Sequence, residues 1–380
     1  MIHRYCLATM VGVSLIGLAP SSSAITPAAS AKGTIRSLSP MGASRAAHTL
    51  TPLPNGDALV VGGFTAEEDQ LAGAELFAHQ QERFIATGRP RALRQSHTAT
   101  RLLDGKVLIA GGFGTGNQYL DSAELYDPAT NTFSLTGRLT AARAGHEAVL
   151  LADGRVLLIG GVSVGWTFLA SAEIYDPRTG KFRTTGSMSE PRESHVAVKL
   201  PDGRVLVAGG HRGRGQAILI SATAEIFDAA TGRFSPVGAM AIRRHKHDGV
   251  VLRDGRVLVA GGADERDSEG VYSSVEVFDP ARGRFEGGQA LRASRYKHRG
   301  TSLLLPDGVV LFAGGATEAE TFDPATGEGQ LVDSPSPLAG QFSAAALLRD
   351  GRVLITGGYG EGRGPSPRAW IYEPVTRQRR

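Results

Sequence analysis

Asp202-Gly203-Arg204-Val205-Leu206-Val207-Ala208-Gly209-Gly210 decides how this 380-residue chain folds, because near copies of it recur from end to end. Its terminal doublet returns as Gly62-Gly63, Gly111-Gly112, Gly160-Gly161, Gly261-Gly262, Gly314-Gly315 and Gly357-Gly358. The seven doublets are separated by 49, 49, 49, 52, 53 and 43 residues. A period of this length marks an array of one supersecondary unit, radial or stacked, rather than a conventional mixed core. One repeat filling nearly the whole chain predicts a single closed domain.

The unit reads outward from that stretch. Upstream, Pro191-Arg192-Glu193-Ser194-His195 leads into the alternating run Val196-Ala197-Val198-Lys199-Leu200, and Pro201-Asp202-Gly203 turns it into Arg204 to Gly210. An Asp-Gly pair between two apolar runs predicts a two-residue type I′ hairpin. After the doublet comes a variable stretch, then an apolar-acidic strand such as Ala123-Glu124-Leu125-Tyr126 or Ala172-Glu173-Ile174-Tyr175. It ends at Asp176-Pro177-Arg178-Thr179-Gly180, where Pro presets φ and Gly permits a left-handed exit. A fourth strand carries a Phe that stands at one constant interval from the next histidine: Phe84 to His97, Phe133 to His146, Phe182 to His195, Phe234 to His247 and Phe285 to His298.

These features resemble the kelch repeat, whose four-stranded blades build β-propellers. The doublet, the upstream Arg-x-x-His and the aromatics of the third and fourth strands extend the resemblance over residues 33–374 in seven units. Phe stands where many kelch repeats carry Trp in the fourth strand. The resemblance implies an all-β, seven-bladed propeller with a domain spanning residues 32–375. The seventh unit ends at Trp370-Ile371-Tyr372-Glu373-Pro374 without a fourth strand of its own, and Ile35 stands before His48 at the same interval as each Phe before its histidine. The strand around Ile35 is therefore expected to complete the last blade and remove the open edge of the ring.

Residues 1–24 read as a secretory signal peptide: Arg4, an apolar run from Cys6 to Ala19, then Ser22-Ser23-Ala24, with cleavage there or as late as Ala31. The apolar run is too short to span a bilayer, for which about 20 residues are needed. A secreted or periplasmic product follows, with no stable membrane insertion after cleavage. Cys6 is the one cysteine, so the mature chain has no thiol. Losing Arg4 takes the basic count from 41 to 40 against 37 acidic residues, a net charge of +3, too mild to imply nucleic acid. Residues 376–380 form a short basic tail, and a monomer is expected.

Strand parity places the hairpin turns on one face of the disc and every variable segment on the other, where binding usually sits. Six Arg-x-x-His pairs (Arg45 with His48, Arg94 with His97, Arg143 with His146, Arg192 with His195, Arg244 with His247, Arg295 with His298) ring the axis there. A metal site or anion-binding crown is one reading. The other, preferred because chemistry seldom needs six copies, is that each pair hydrogen-bonds across a blade junction, with the third-strand Glu as a partner. The seventh unit has Gly340 and Ser343 instead. Departures from the repeat pool cations over blades four to six: Arg212, Arg214, His245, Lys246 and Lys297, with Tyr296 and Trp166 beside them. These seven residues are the candidate ligand site, suited to an anionic glycan through Arg forks and an aromatic platform; a solvated basic rim is the alternative. Asp264-Glu265-Arg266-Asp267-Ser268-Glu269 reads as a polar loop or a calcium loop interrupted by Arg266.

No nucleophile elbow, His-Glu-x-x-His or phosphate loop occurs. The leading expectation is a binding or interaction module for an anionic glycan or a protein partner, without a cofactor or metal. The alternative is a carbohydrate-active enzyme. The resemblance implies it, since extracellular kelch propellers include galactose-oxidase-like copper enzymes and sialic acid epimerases. The copper cofactor of the former needs a Tyr-Cys crosslink that a mature chain without cysteine cannot form, which leaves an epimerase-like mutarotase or isomerase.

Overall fold

The computed structural model describes residues 33–67, 71–360 and 364–375; the leader and the basic tail read from the sequence lie outside them. Seven four-stranded antiparallel sheets form the blades of a propeller. Blade three is representative, with strands Glu147–Leu150, Val156–Ile159, Ala172–Asp176 and Lys181–Thr184, here called a to d. Strand b, an unbroken apolar run, is buried at every position. It lies between a and c and packs against both neighbouring blades, so it has no solvent face. Strand d has one buried residue, Phe182, and is otherwise exposed. Hydrophobicity therefore falls from the middle of each blade to its rim.

The core lies between blades rather than within them. Leu108 and Ala110 of blade two pack with Val156, Leu158, Tyr175 and Phe182 of blade three, and comparable clusters fill the next junctions. The last sheet runs Thr34–Ser37, Ala369–Glu373, Val353–Thr356, Ala344–Leu347. Ile35 pairs with Tyr372 and joins Trp370, Val353 and Leu311 in the core between blades six and seven. The N-terminal strand thus closes the ring, in the predicted register.

One local expectation is corrected. The a-to-b turn is not a two-residue type I′ hairpin. Gly203 N–H donates to Leu200 C=O at 3.0 Å, Leu200 N–H donates to Arg204 C=O at 2.8 Å, and only Gly203 has positive φ (89°). This is a three-residue loop, a type I turn followed by a left-handed Gly, because Pro201 and Asp202 hold negative φ whereas type I′ needs two positive values. The c-to-d turn forms as read: Gly180 has φ 67° and donates to Asp176 C=O at 2.8 Å.

Candidate functional site

The doublet glycines are required where blades meet. Gly209 and Gly210 have φ of 67° and 90°. A Cβ on Gly209 would lie 2.5 Å from the His247 ring and 2.7 Å from Arg244 C=O. Gly210 N–H donates to that same carbonyl at 2.9 Å. Backbone of one blade thus lies directly on the Arg-x-x-His segment of the next, and only Gly allows the approach.

The Arg and His of that segment do different jobs. Each Arg is fully buried and stays within its own blade: Arg143 donates to Gly160 C=O at 2.8 Å and Ser171 C=O at 3.0 Å, and forms an ion pair with Glu173 at 2.6 Å. Glu173 also accepts the Thr140 and Ala141 N–H groups. The same pairing recurs as Arg45–Glu75, Arg94–Glu124, Arg192–Glu225, Arg244–Glu276 and Arg295–Glu320. The expectation that this charge pair spans blade junctions is therefore corrected. The histidines span them: His97 meets Thr49, His146 meets Thr98 and His48 meets Thr356 at 2.8 to 3.0 Å, each in the preceding blade, and His298 donates to Ala260 C=O at 3.1 Å. Burial holds all six imidazoles far below their usual pKa, with the adjacent Arg adding to the effect, so they stay neutral. In blade seven, Gly340 takes the Arg place and buried Trp370 the Glu place, an apolar replacement of the whole pair.

The residue just before each histidine sets the chemistry of the axis. Ala47, Ser96, Gly145, Ser194, Lys246, Lys297 and Phe342 all have φ between 51° and 61°. Their backbones are linked blade to blade by N–H to C=O bonds of 2.8 to 3.1 Å at six of the seven junctions. The left-handed turn is costly for any residue with a Cβ. All seven residues line a cavity of about 640 Å³. Four blades place small side chains there, two place lysines, and the seventh places Phe342.

Around this ring the loops of blades three to five complete the site. Of the seven sequence candidates, Trp166, Arg214, His245, Lys246 and Lys297 line the cavity. Arg212 and Tyr296 do not: Arg212 forms an ion pair with Glu190 at 2.9 Å, and Tyr296 is buried beneath Lys297, whose Nζ lies 4.8 Å from its ring. The Arg214 guanidinium stacks 3.4 Å over Trp166, which packs against Phe113 and Tyr119 of blade two. Lys297 donates to Tyr359 Oη at 3.0 Å and Gln341 Oε1 at 3.3 Å. Lys246 pairs with Asp267 at 2.7 Å.

Sequence reading did not place Glu193 or Asp267 in the ligand site. Both line the cavity, together with His211, His195 and Arg299. Burial pushes the Glu193 carboxyl up to about 7 against the pull of Lys246, Arg214 and Arg299. Burial likewise raises Glu147 to about 7 although Arg299, from blade six, reaches it at 2.6 Å. His211 and His245 face each other with Nδ1 atoms 3.3 Å apart, and burial lowers them to about 3 and about 4. Position relative to the repeat was the available signal, because Glu193 immediately precedes Ser194 of the axial ring. The carboxylates of 264–269 do not converge on a shared centre: Asp264 binds Arg266, Glu265 binds Arg243, and Asp267 binds Lys246. Among the described residues no group of three or more His, Cys, Asp or Glu side chains has metal-holding geometry.

The Kelch motif family model matches residues 96–139 and 143–189, which are blade two and blade three. With seven blades of this pattern, the chain is a kelch-repeat β-propeller. A solved structure of a fungal alcohol oxidase of the AA5 family, in complex with copper, is similar with a TM-score of 0.69 at 15% identity, covering 91% of this chain and 76% of that one. The structure of a protein named YjhT is similar with a TM-score of 0.59 at 15% identity, covering 78% of this chain and 99% of that one. No curated protein matches the chain in sequence. The oxidase likeness is one of fold, and a Tyr-Cys copper cofactor does not fit here, since Cys6 is the one cysteine and lies outside the described residues. Among the described residues, no helix is long and apolar enough to cross a membrane. A kelch propeller is a scaffold for binding and interaction.

Proposed function

We propose that the protein is a secreted or periplasmic binding module that captures an anionic ligand, of which an acidic glycan is the leading class, at the axial cavity. One observation carries the reading: Lys297 and Arg214 face one cavity with no carboxylate within 4 Å among the described residues. A cation held by neutral acceptors, as Lys297 is, gains most from an incoming anion. Trp166 and the Arg214 stacked on it supply a flat surface for a sugar ring. The test is an array of uronate- and sulfate-bearing glycans, followed by titration of D-glucuronate. Binding should weaken as salt rises, and Lys297→Ala with Arg214→Ala should lower affinity at least tenfold with little change in Tm. Affinity indifferent to both salt and the double substitution would overturn the reading.

An epimerase-like or mutarotase-like carbohydrate enzyme is the second reading, favoured by Glu193, which lines the cavity and whose carboxyl burial raises to about 7. Acid–base catalysis is most efficient with such groups. Faster exchange between the anomers of D-glucuronate, measured by NMR and abolished by Glu193→Ala, would support it.

A further inference from the structure

Four side chains of the cavity form a chain: Glu193 Oε2 lies 3.6 Å from His211 Nε2, His211 Nδ1 lies 3.3 Å from His245 Nδ1, and His245 Nε2 lies 3.8 Å from Asp267 Oδ1. Its tautomers follow from electrostatics. Burial opposes the charge of Asp267, but the Lys246 hydrogen bond and charge hold its carboxyl below the usual range, so it is ionised. An anion beside His245 Nε2 favours a proton there, which leaves His245 Nδ1 as an acceptor. His211 must then carry its proton on Nδ1 and turn the lone pair of Nε2 toward Glu193. A lone pair facing a carboxylate is repelled, whereas a neutral carboxyl removes that repulsion. Glu193 is also built for neutrality by place: it lies against Gly145, where a Cβ would collide with it, and it forms no ion pair with Lys or Arg within 4 Å among the described residues. The charged and titratable groups around it are Arg214 of the same blade, Tyr119 of blade two, Lys246 of blade five and Arg299 of blade six.

The geometry points to Glu193 as the specificity-determining donor of this site: held as a neutral carboxyl by an oriented chain through His211 and His245 to Asp267, it donates its O–H to the bound anion, so that anion and proton are taken up together. At 3.6 Å the contact to His211 is too long to retain the proton, so the O–H is free to turn to a ligand. The inference rests on the anion-binding reading and adds a demand on the ligand, which must present a hydrogen-bond acceptor where Glu193 meets it. Protons and charge balance: one proton moves from solvent to Glu193 for each anion bound at a pH where the free site has lost it. By linkage the anion then raises the proton affinity of Glu193 to the same degree that the proton raises affinity for the anion.

Two measurements separate this inference from the reading beneath it. In the unliganded protein, NMR with 15N-labelled histidine should show His211 as the Nδ1–H tautomer and His245 as the Nε2–H tautomer. Asp267→Asn, whose amide oxygen turns to Lys246 and whose N–H turns to His245, should reverse both. Opposite tautomers in the wild type, or no change in the variant, overturn the chain whether or not any ligand binds. Calorimetry with D-glucuronate in buffers of different ionisation enthalpy should show proton uptake, with affinity falling toward tenfold per pH unit above pH 7.5. Glu193→Gln, a permanent neutral donor, should keep the acid-side affinity and abolish both the uptake and the pH slope. A slope that survives in Glu193→Gln overturns the inference, and absence of D-glucuronate binding at every pH overturns the anion-binding reading itself.

Discussion

At the scale of single residues the propeller depends on charge hidden inside each blade. Arg143 and Glu173 are fully buried and satisfied mainly by each other and by backbone groups. Removing one partner strands the other in a low-dielectric interior. Glu173→Gln or Arg143→Met should therefore cost about 3 to 5 kcal/mol in chemical denaturation. Blade seven, with Gly340 and Trp370 at the two positions, shows that an apolar solution exists. Arg143→Gly with Glu173→Trp should accordingly destabilise less than the two single changes add up to, and additivity within about 0.5 kcal/mol would contradict the coupling. The arginines and glutamates were legible as a repeated pair, but their partners were misassigned. Sequence spacing records that the two recur together and carries no information on which side of a blade junction the third strand lies.

At the scale of elements, ring closure rests on Thr34–Ser37, which pairs over its length with Ala369–Glu373 and places Ile35 in the core with Trp370. Without it the last blade would present a bare strand edge and an opened apolar junction. Deleting residues 33–37 should lower Tm by many degrees or cause aggregation seen in light scattering; an unchanged melting curve would show that closure contributes nothing. This element was readable because its partner strand was missing its neighbour at the other end of the chain, and because the constant Phe-to-His interval of the repeat, kept from Ile35 to His48, set its register. The hairpin turns were readable in place but not in type: Asp-Gly suits both a two-residue and a three-residue loop, and the backbone hydrogen bonds choose between them.

At the scale of the whole molecule, the histidines should make the propeller acid-labile. Eight buried imidazoles (His48, His97, His146, His195, His211, His245, His247 and His298) have folded-state pKa values below the ordinary 6.5, by burial first. The unfolded chain therefore binds more protons than the folded one as pH falls through 6.5, and stability is lost progressively from there toward pH 3 to 4. Glu147 and Glu193, raised to about 7, act in the opposite sense: between pH 4.5 and 7 the folded state holds the extra proton, so their contribution shrinks as pH rises. With eight groups against two, Tm should drop on acidification below about pH 6.5. A flat Tm from pH 7 to pH 5 would contradict this balance.

The sequence alone determined the architecture, because a repeat of seven doublets, seven apolar strand pairs and constant Phe-to-His intervals specifies one packing solution applied around an axis. It also located the cationic sector, since departures from a repeat are visible against it. Only the tertiary structure decided which of those cations face the ligand space. The left-handed residue before each histidine turns Lys246 and Lys297 into the axis. Arg212, in the short strand His211–Arg212 that follows the doublet, meets Glu190 and is neutralised. Glu193 and His211 are bridged within blade four, His245 and Asp267 both belong to blade five, and the contact between His211 and His245 joins the two across a blade junction. Spacing along a chain encodes the period of a propeller, whereas contact across its axis depends on how all seven blades are set around it.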